Sequence, residues 1–102
     1  MTRLLGDEEI ERQLRDLPGW ARDGSEIRVS YEAPSFLDGI RLVREVAAAA
    51  ESMNHHPDID IRWRTVTFVL STHSEGGLTQ LDIELAHQIS QEAGLVGATA
   101  TG

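Results

Sequence analysis

Residues 51–82 read ESMNHHPDIDIRWRTVTFVLSTHSEGGLTQLD, and the fold is decided inside this stretch. It opens in the last turn of a helical pattern. Asn54 and the His55-His56-Pro57 step stop that helix, because the residue before a proline avoids the helical region. Ile59, Ile61 and Trp63 then alternate with Asp60 and Arg62, and Val66, Phe68 and Leu70 alternate with Thr65, Thr67 and Val69. Period-two alternation predicts two half-buried strands, and the short connection between them predicts an antiparallel pair. Ser74-Glu75-Gly76-Gly77 predicts a loop. Thr79, followed three residues later by Asp82, is a capping box that opens the next helix.

Upstream, Leu37, Ile40, Val43, Val46, Ala47, Ala50 and Met53 form one apolar stripe of a long second helix, which starts at a Ser35–Asp38 capping box. Before it, Ile27, Val29 and Tyr31 alternate with Arg28 and Ser30, and Trp20 to Asp23 is a shorter strand joined to them at the turn signal Asp23-Gly24. A first helix is expected from about Asp7 to Leu17. Asp7, Glu8 and Glu9 stand where the helix dipole favours negative charge, Ile10, Leu14 and Leu17 recur at helical spacing, and Pro18-Gly19 ends it. Downstream, the third helix runs through Leu85, Ala86 and Ile89 to about Ala93, with Gly94 as its stop. The order α-β-β-α-β-β-α predicts an α+β fold, a four-stranded antiparallel sheet with three helices on one face. It is read as a single domain over residues 1–102, with an ordered core over 7–93 and a loose tail over 94–102.

The chain has 102 residues and a formal net charge of -8. Its length fits one domain with one thin core. Its acidity argues against binding a phosphate backbone, which needs clustered Lys and Arg, so no nucleic-acid partner is expected. It has no cysteine, which excludes disulfides and a thiol nucleophile. The N-terminal residues lack the apolar run of a signal peptide, and no stretch has the apolar length of a membrane span. A cytoplasmic location with no membrane partner is the expectation.

Glu51, His55, His56, Pro57, Trp63, His73 and Asp82 form an ordered constellation, E-x3-H-H-P-x5-W-x9-H-x8-D, that holds three of the four histidines. Imidazole ordinarily titrates near neutrality, so imidazoles grouped with carboxylates mark a proton-handling site or a metal site. Glu51 and His55 are four apart at a helix end and share a face. Glu51 is therefore expected to orient the His55 imidazole, whose cation the helix C-terminus also favours. His56 precedes a proline and is extended, and neighbours in an extended chain point in opposite directions. The two imidazoles reach one point only if the chain turns there, and Pro57 aims both. His73 is expected at the end of the fourth strand, after Ser71 and Thr72, a common position for functional groups. Asp82 has a capping role as the N3 residue of the Thr79 box. Each of these residues has a plain structural explanation when taken alone, and so do Trp20 and Trp63 as core aromatics. Their joint occurrence at this spacing is what points to a site. A helical H-E-x-x-H zinc motif is absent; His55, His73 and Glu51 could in principle form a site of two histidines and one carboxylate. His87 lies outside the constellation and is expected on the surface of the third helix.

The constellation resembles the signature of the pterin-4a-carbinolamine dehydratases, with every fixed position filled. P-G-W at 18–20, S-T-H at 71–73, G-L at 77–78 and D-I-E-L-A at 82–86 are also similar to that family. The resemblance extends from about Asp7 to about Ala93. It implies the same α+β architecture and a hydro-lyase that dehydrates 4a-hydroxytetrahydropterin to quinonoid dihydropterin by histidine acid–base catalysis, recycling the pterin. It makes His55, His56 and His73 the catalytic set, with His55 and His73 as the acid–base imidazoles and His56 holding the pterin. Glu51 and Asp82 would orient the histidines or bind ring nitrogens. Pro57 and Trp63 would set the frame, Trp20 would stand near the pocket wall, and Ser71 and Thr72 would belong to the substrate-binding or orienting shell. It also implies no metal, no cofactor, a small-molecule pterin as partner, and a homodimer or homotetramer. Two positions depart from the pattern: Leu81 stands where animal members often carry a basic residue, and the strand Ile27-Arg28-Val29-Ser30-Tyr31 is less aromatic than is common. The alternative is a non-catalytic dimerisation, coactivator or assembly module of the same fold. Chaperone-like relatives lack the full H-H-P pattern, which this chain retains.

Overall fold

The computed structural model describes residues 3–101. In chain order its elements are α1 (Asp7–Leu14), β1 (Ala21–Asp23), β2 (Glu26–Glu32), α2 (Phe36–Met53), β3 (Asp58–Arg62), β4 (Thr65–Leu70), a 3-10 turn (His73–Glu75), α3 (Gln80–Leu95) and β5 (Thr99–Ala100). The strands form one antiparallel sheet in the order β1-β2-β4-β3, with β5 added to β2. Three helices with an antiparallel sheet give the expected α+β fold, with one strand more than the sequence pattern supplied.

The sheet's register shows which face carries the core. Directly opposed residues of an antiparallel pair share a face. Ile27, Val29 and Tyr31 of β2 stand opposite Leu70, Phe68 and Val66 of β4, and all six are buried. Leu42, Val46 and Ala50 of α2 and Ile83, Leu85, Ala86 and Ile89 of α3 pack into this core. On the other face, Ser30 and Thr67 pair through their hydroxyls at 2.7 Å.

The helices keep their sequence signals but shift their limits. Glu9 accepts the Gly6 N–H at 3.0 Å at the start of α1. That helix stops at Leu14 rather than Leu17, because the chain tightens into i→i−3 bonds, Asp16 to Gln13 and Leu17 to Leu14, ahead of Pro18. Leu17 reaches the core from this turn. Trp20 precedes β1 rather than starting it, and is buried. Ser35 caps α2 by accepting the Asp38 N–H at 3.1 Å.

The apolar stripe of α2 is split. Val46 and Ala50 are buried together with Gly39 and Leu42, and Val43 and Met53 pack at the margin. Leu37 is 76% exposed, and Phe36 and Ile40 are exposed too. Helix and sheet approach closely at Gly39, where a Cβ would stand 3.3 Å from Val66 Cγ2.

The C-terminal expectation is also revised. Gly94 lies inside α3, and the left-handed residue that ends the helix is Gly97 (φ 79°). The bonds Gly97 N–H to Gly94 C=O and Ala98 N–H to Ala93 C=O form the paired closure of a Schellman turn. The chain then runs back along β2. Ala100 stands opposite Tyr31 and Thr99 opposite Glu32, and Thr101 N–H donates to Ser30 C=O at 2.9 Å. The stretch from 94 is therefore docked as far as Thr101. A two-residue strand leaves no period to read in a sequence.

Candidate active site

The end of α2 determines where the two adjacent imidazoles go. Asn54 takes the left-handed conformation (φ 49°, ψ 44°). Asn54 N–H donates to Glu51 C=O, and His55 N–H donates to Ala50 C=O at 3.0 Å, again a Schellman closure. This turn breaks the helical register after Met53. His55, only 8% exposed, points inward, and its Nε2 lies 2.6 Å from Oδ1 of Asp82. His56 points outward, and its Nε2 lies 2.5 Å from Oε2 of Glu51. Glu51 thus partners His56 and not His55, because the i,i+4 relation that would have joined Glu51 to His55 holds only while the helix continues.

Asp82 is fully buried at the first turn of α3. Its Oδ2 accepts the Thr79 N–H at 2.9 Å and the Thr72 hydroxyl at 2.7 Å. The Thr72 and Thr79 hydroxyls lie 2.7 Å apart. A carboxylate only accepts, so the single proton of Thr72 is committed to Asp82, and Thr79 must be the donor to Thr72. The result is a directional buried chain, Thr79 to Thr72 to Asp82, with His55 on the other carboxylate oxygen. Buried carboxylates are tolerated when hydrogen bonds replace their hydration, and both oxygens of Asp82 have partners.

His73 opens the 3-10 turn after β4 rather than ending the strand, and is exposed. Among the described residues its side chain makes no hydrogen bond. Its loop is closed at the base by Thr72 N–H to Gly77 C=O at 2.9 Å, and Gly76 takes φ 74°. Thr72, which holds Asp82, is thus the residue immediately before His73. Pro57 is half-buried between His56 and β3.

Other candidates lie further out. Ser71 donates to Ser25 C=O at 2.8 Å and so ties β4 to the β1–β2 turn. Trp20 donates through Nε1 to Ser90 Oγ at 3.0 Å, a hydroxyl it shares with Tyr31. Ser90 is two turns of α3 beyond Asp82, about 12 Å of helix rise. Trp63 is in the β3–β4 turn with φ 51°, is 73% exposed, and lies against the Arg64 guanidinium at 4.7 Å. His87 is exposed on α3. Among the described residues no three His, Cys, Asp or Glu side chains group as metal ligands. The Glu51, His55 and His73 set does not assemble, since Glu51 and His55 turn to different partners. A cavity of about 250 Å³ between Leu4, Leu5, the β1–β2 turn and residues 76–78 contains none of the histidines.

Thr79 is the site residue that sequence reasoning missed: the capping box explains its hydroxyl as a helix cap, and nothing in the pattern shows that the hydroxyl meets Thr72. The N3 position of Asp82 in the Thr79 box is the trace that the pattern did carry.

The chain matches the family model described as pterin 4 alpha carbinolamine dehydratase over residues 3–92. A relative from Nocardia farcinica, provisionally named pterin-4-alpha-carbinolamine dehydratase, is 61% identical over 92 residues, covering 90% of this chain and 97% of its own. A relative of the same provisional name from Mycobacterium avium (strain 104) is 58% identical, covering 93% and 98%. A crystal structure from Brucella melitensis, described as a transcriptional coactivator/pterin dehydratase, superposes with a TM-score of 0.87 at 31% identity, covering 89% of this chain and 99% of that one. A pterin dehydratase-like protein identified as a RuBisCO assembly factor in the alpha-carboxysome shares the fold alone, with a TM-score of 0.61 at 17% identity and coverage of 74% and 87%. With a carboxylate-backed imidazole on this fold and matches that span nearly its whole length, the chain belongs to the pterin 4 alpha carbinolamine dehydratase family.

Proposed function

We propose that this protein dehydrates a 4a-hydroxytetrahydropterin to a quinonoid dihydropterin, with His55, His56 and His73 as its catalytic imidazoles. The observation that carries the reading is the buried His55–Asp82 hydrogen bond, in a family member that keeps the whole histidine signature. The substrate carries a hydroxyl on the ring carbon next to an amine-type nitrogen. The C–O bond breaks as the oxygen takes a proton, the nitrogen lone pair becomes the new C=N bond, and a base removes a proton from a ring nitrogen. The net change is loss of water. No electrons leave the substrate and no covalent intermediate is needed, so acid–base side chains suffice without a metal or cofactor. Such groups typically contribute about 10²–10⁴-fold. His55, backed by Asp82, and His73, on the exposed loop, act as acid and base. His56 with Glu51 holds the pterin. Pro57 and Trp63 shape the frame, and Trp20, Ser71 and Thr72 support it. Purified protein should form quinonoid dihydropterin faster than the spontaneous reaction. No acceleration under conditions where the spontaneous rate is visible rejects this reading.

The same reading treats residues 1–102 as one cytoplasmic domain that works as a homodimer or homotetramer. Phe36, Leu37 and Ile40 of α2 are exposed, as are Ile59 and Ile61 on the edge strand β3. An open strand edge invites pairing with another chain. This apolar surface also favours the second reading, a non-catalytic dimerisation or assembly module. Partner binding that survives replacement of all three histidines would favour that module.

A further inference from the structure

We infer that His55 acts through its Nδ1 atom, because Asp82, held by the Thr72 and Thr79 hydroxyls, locks the neutral imidazole in the Nε2–H form; this rests on the dehydratase reading for its consequence, though not for its geometry. Nε2 lies 2.6 Å from Asp82 Oδ1. Free imidazole is a stronger base than a free carboxylate, so the shared proton belongs to the ring, and Nε2 donates. Nδ1 is then the lone-pair atom of the neutral imidazole and the extra N–H of its cation. Among the described residues, the one side-chain nitrogen or oxygen that is fully buried without a hydrogen bond is Nε of Arg64. His55 Nδ1 has no protein partner there and is not such an atom, so it opens to the surface. Substrate would meet His55 at Nδ1.

The carboxylate has little freedom to do otherwise. Oδ2 is occupied by the Thr79 N–H and the Thr72 hydroxyl, at 2.9 and 2.7 Å, which fixes the rotation of the carboxyl group and aims Oδ1 at the ring. Thr79, fully buried, orients Thr72 by donating to it. Thr79 is a positioning residue that touches neither His55 nor, on this geometry, the substrate.

Asp82→Asn supplies the test. Two donors converge on the Oδ2 position, so the amide oxygen must take it, leaving the NH₂ group facing Nε2. The ring must then accept at Nε2 and carry its proton on Nδ1. Two-bond ¹H–¹⁵N correlation spectra at about pH 9, where free imidazole is neutral, should show His55 as Nε2–H in the unaltered protein and Nδ1–H in Asp82→Asn. Turnover of Asp82→Asn should fall by about a hundredfold or more, as expected for a wrong tautomer, with KM changed by less than about twofold. Thr79→Val should give a mixture of the two forms and a partial loss of turnover, and Thr79→Ser should restore both. An Nδ1–H tautomer in the unaltered protein overturns the inference, whatever the variants do. So does an Asp82→Asn protein that keeps Nε2–H. If the tautomers behave as expected but the unaltered protein does not accelerate dehydration, the lock stands and the dehydratase reading fails.

Discussion

His55 Nε2 and Asp82 Oδ1 lie 2.6 Å apart although 27 residues separate them in the chain. The contact joins the end of α2 to the start of α3, so the same hydrogen bond that orients the His55 ring also ties the two helices together. On the proposed function, effects on turnover and on stability are coupled at this point, and replacing either partner should reveal both.

His55→Ala and His73→Ala should therefore differ in kind. Each is expected to lower turnover about ten-fold or more, and the double variant should approach the uncatalysed rate. His55→Ala also strips a donor from a buried carboxylate, at a cost of about 1–3 kcal/mol. His73 is exposed and has no such partner, so its replacement should leave the denaturation midpoint unchanged. Steady-state kinetics and urea unfolding measured on the same samples decide this; unaltered turnover in both variants refutes the assignment.

Activity should not depend on a metal. Dialysis against a strong chelator is expected to leave turnover where it was. Loss on chelation with recovery on adding zinc would require a ligand set other than Glu51, His55 and His73 as they stand here.

Glu9 provides a pH signature of the N-terminal segment. The Arg3 guanidinium, followed by the Gly6 N–H, holds its carboxyl down at about 2, against an ordinary 4.5. The pKa is depressed in the folded state, so the stabilisation is fully present above about pH 4.5 and is lost as pH falls through about 2. Thermal unfolding of Glu9→Gln should show a small decrease in midpoint that is constant near neutrality, shrinks below pH 4.5 and vanishes near pH 2. The pair is on the surface and screened by salt, so high salt should shrink the Arg3 part as well. A midpoint difference independent of pH would refute this account.

Gly19 should not tolerate a side chain. Its φ is 86°, and a Cβ would stand 2.6 Å from the Ala100 Cβ. Gly19→Ala is expected to cost about 1–3 kcal/mol. Adding Ala100→Gly should recover the steric part and leave the backbone part. Full additivity of the two changes would mean that β5 does not pack there.

Light scattering in dilute buffer near neutral pH should give a mass well above the 11.3 kDa of one chain. Charged substitutions at Ile61 or Leu37 should lower it. A monomer mass for the unaltered chain would refute the homo-oligomer.

The order of the three helices and the first four strands, and with it the fold class, was legible in the sequence, which also named the candidate site residues. Those features rest on short-range physics: alternation at Ile27–Tyr31 and Val66–Leu70, caps at Ser35 and Thr79, a stop before Pro57. They also rest on a signature whose spacing is fixed by that order. Partnership became visible only in three dimensions. Glu51 was the nearest carboxylate to His55 along the helix, yet the left-handed turn at Asn54 gave Glu51 to His56 and sent His55 to Asp82. The stripe on α2 named the apolar residues but not which of them face the core, because it is wider than the surface that the sheet and α3 cover. The docking of Thr99–Ala100 on β2 left no local pattern at all. The turn at Asn54 is local, but the meetings of His55 with Asp82, of Gly39 with Val66 and of Thr99 with Glu32 join groups far apart in the chain, and a pattern that repeats every two or four residues carries no record of that.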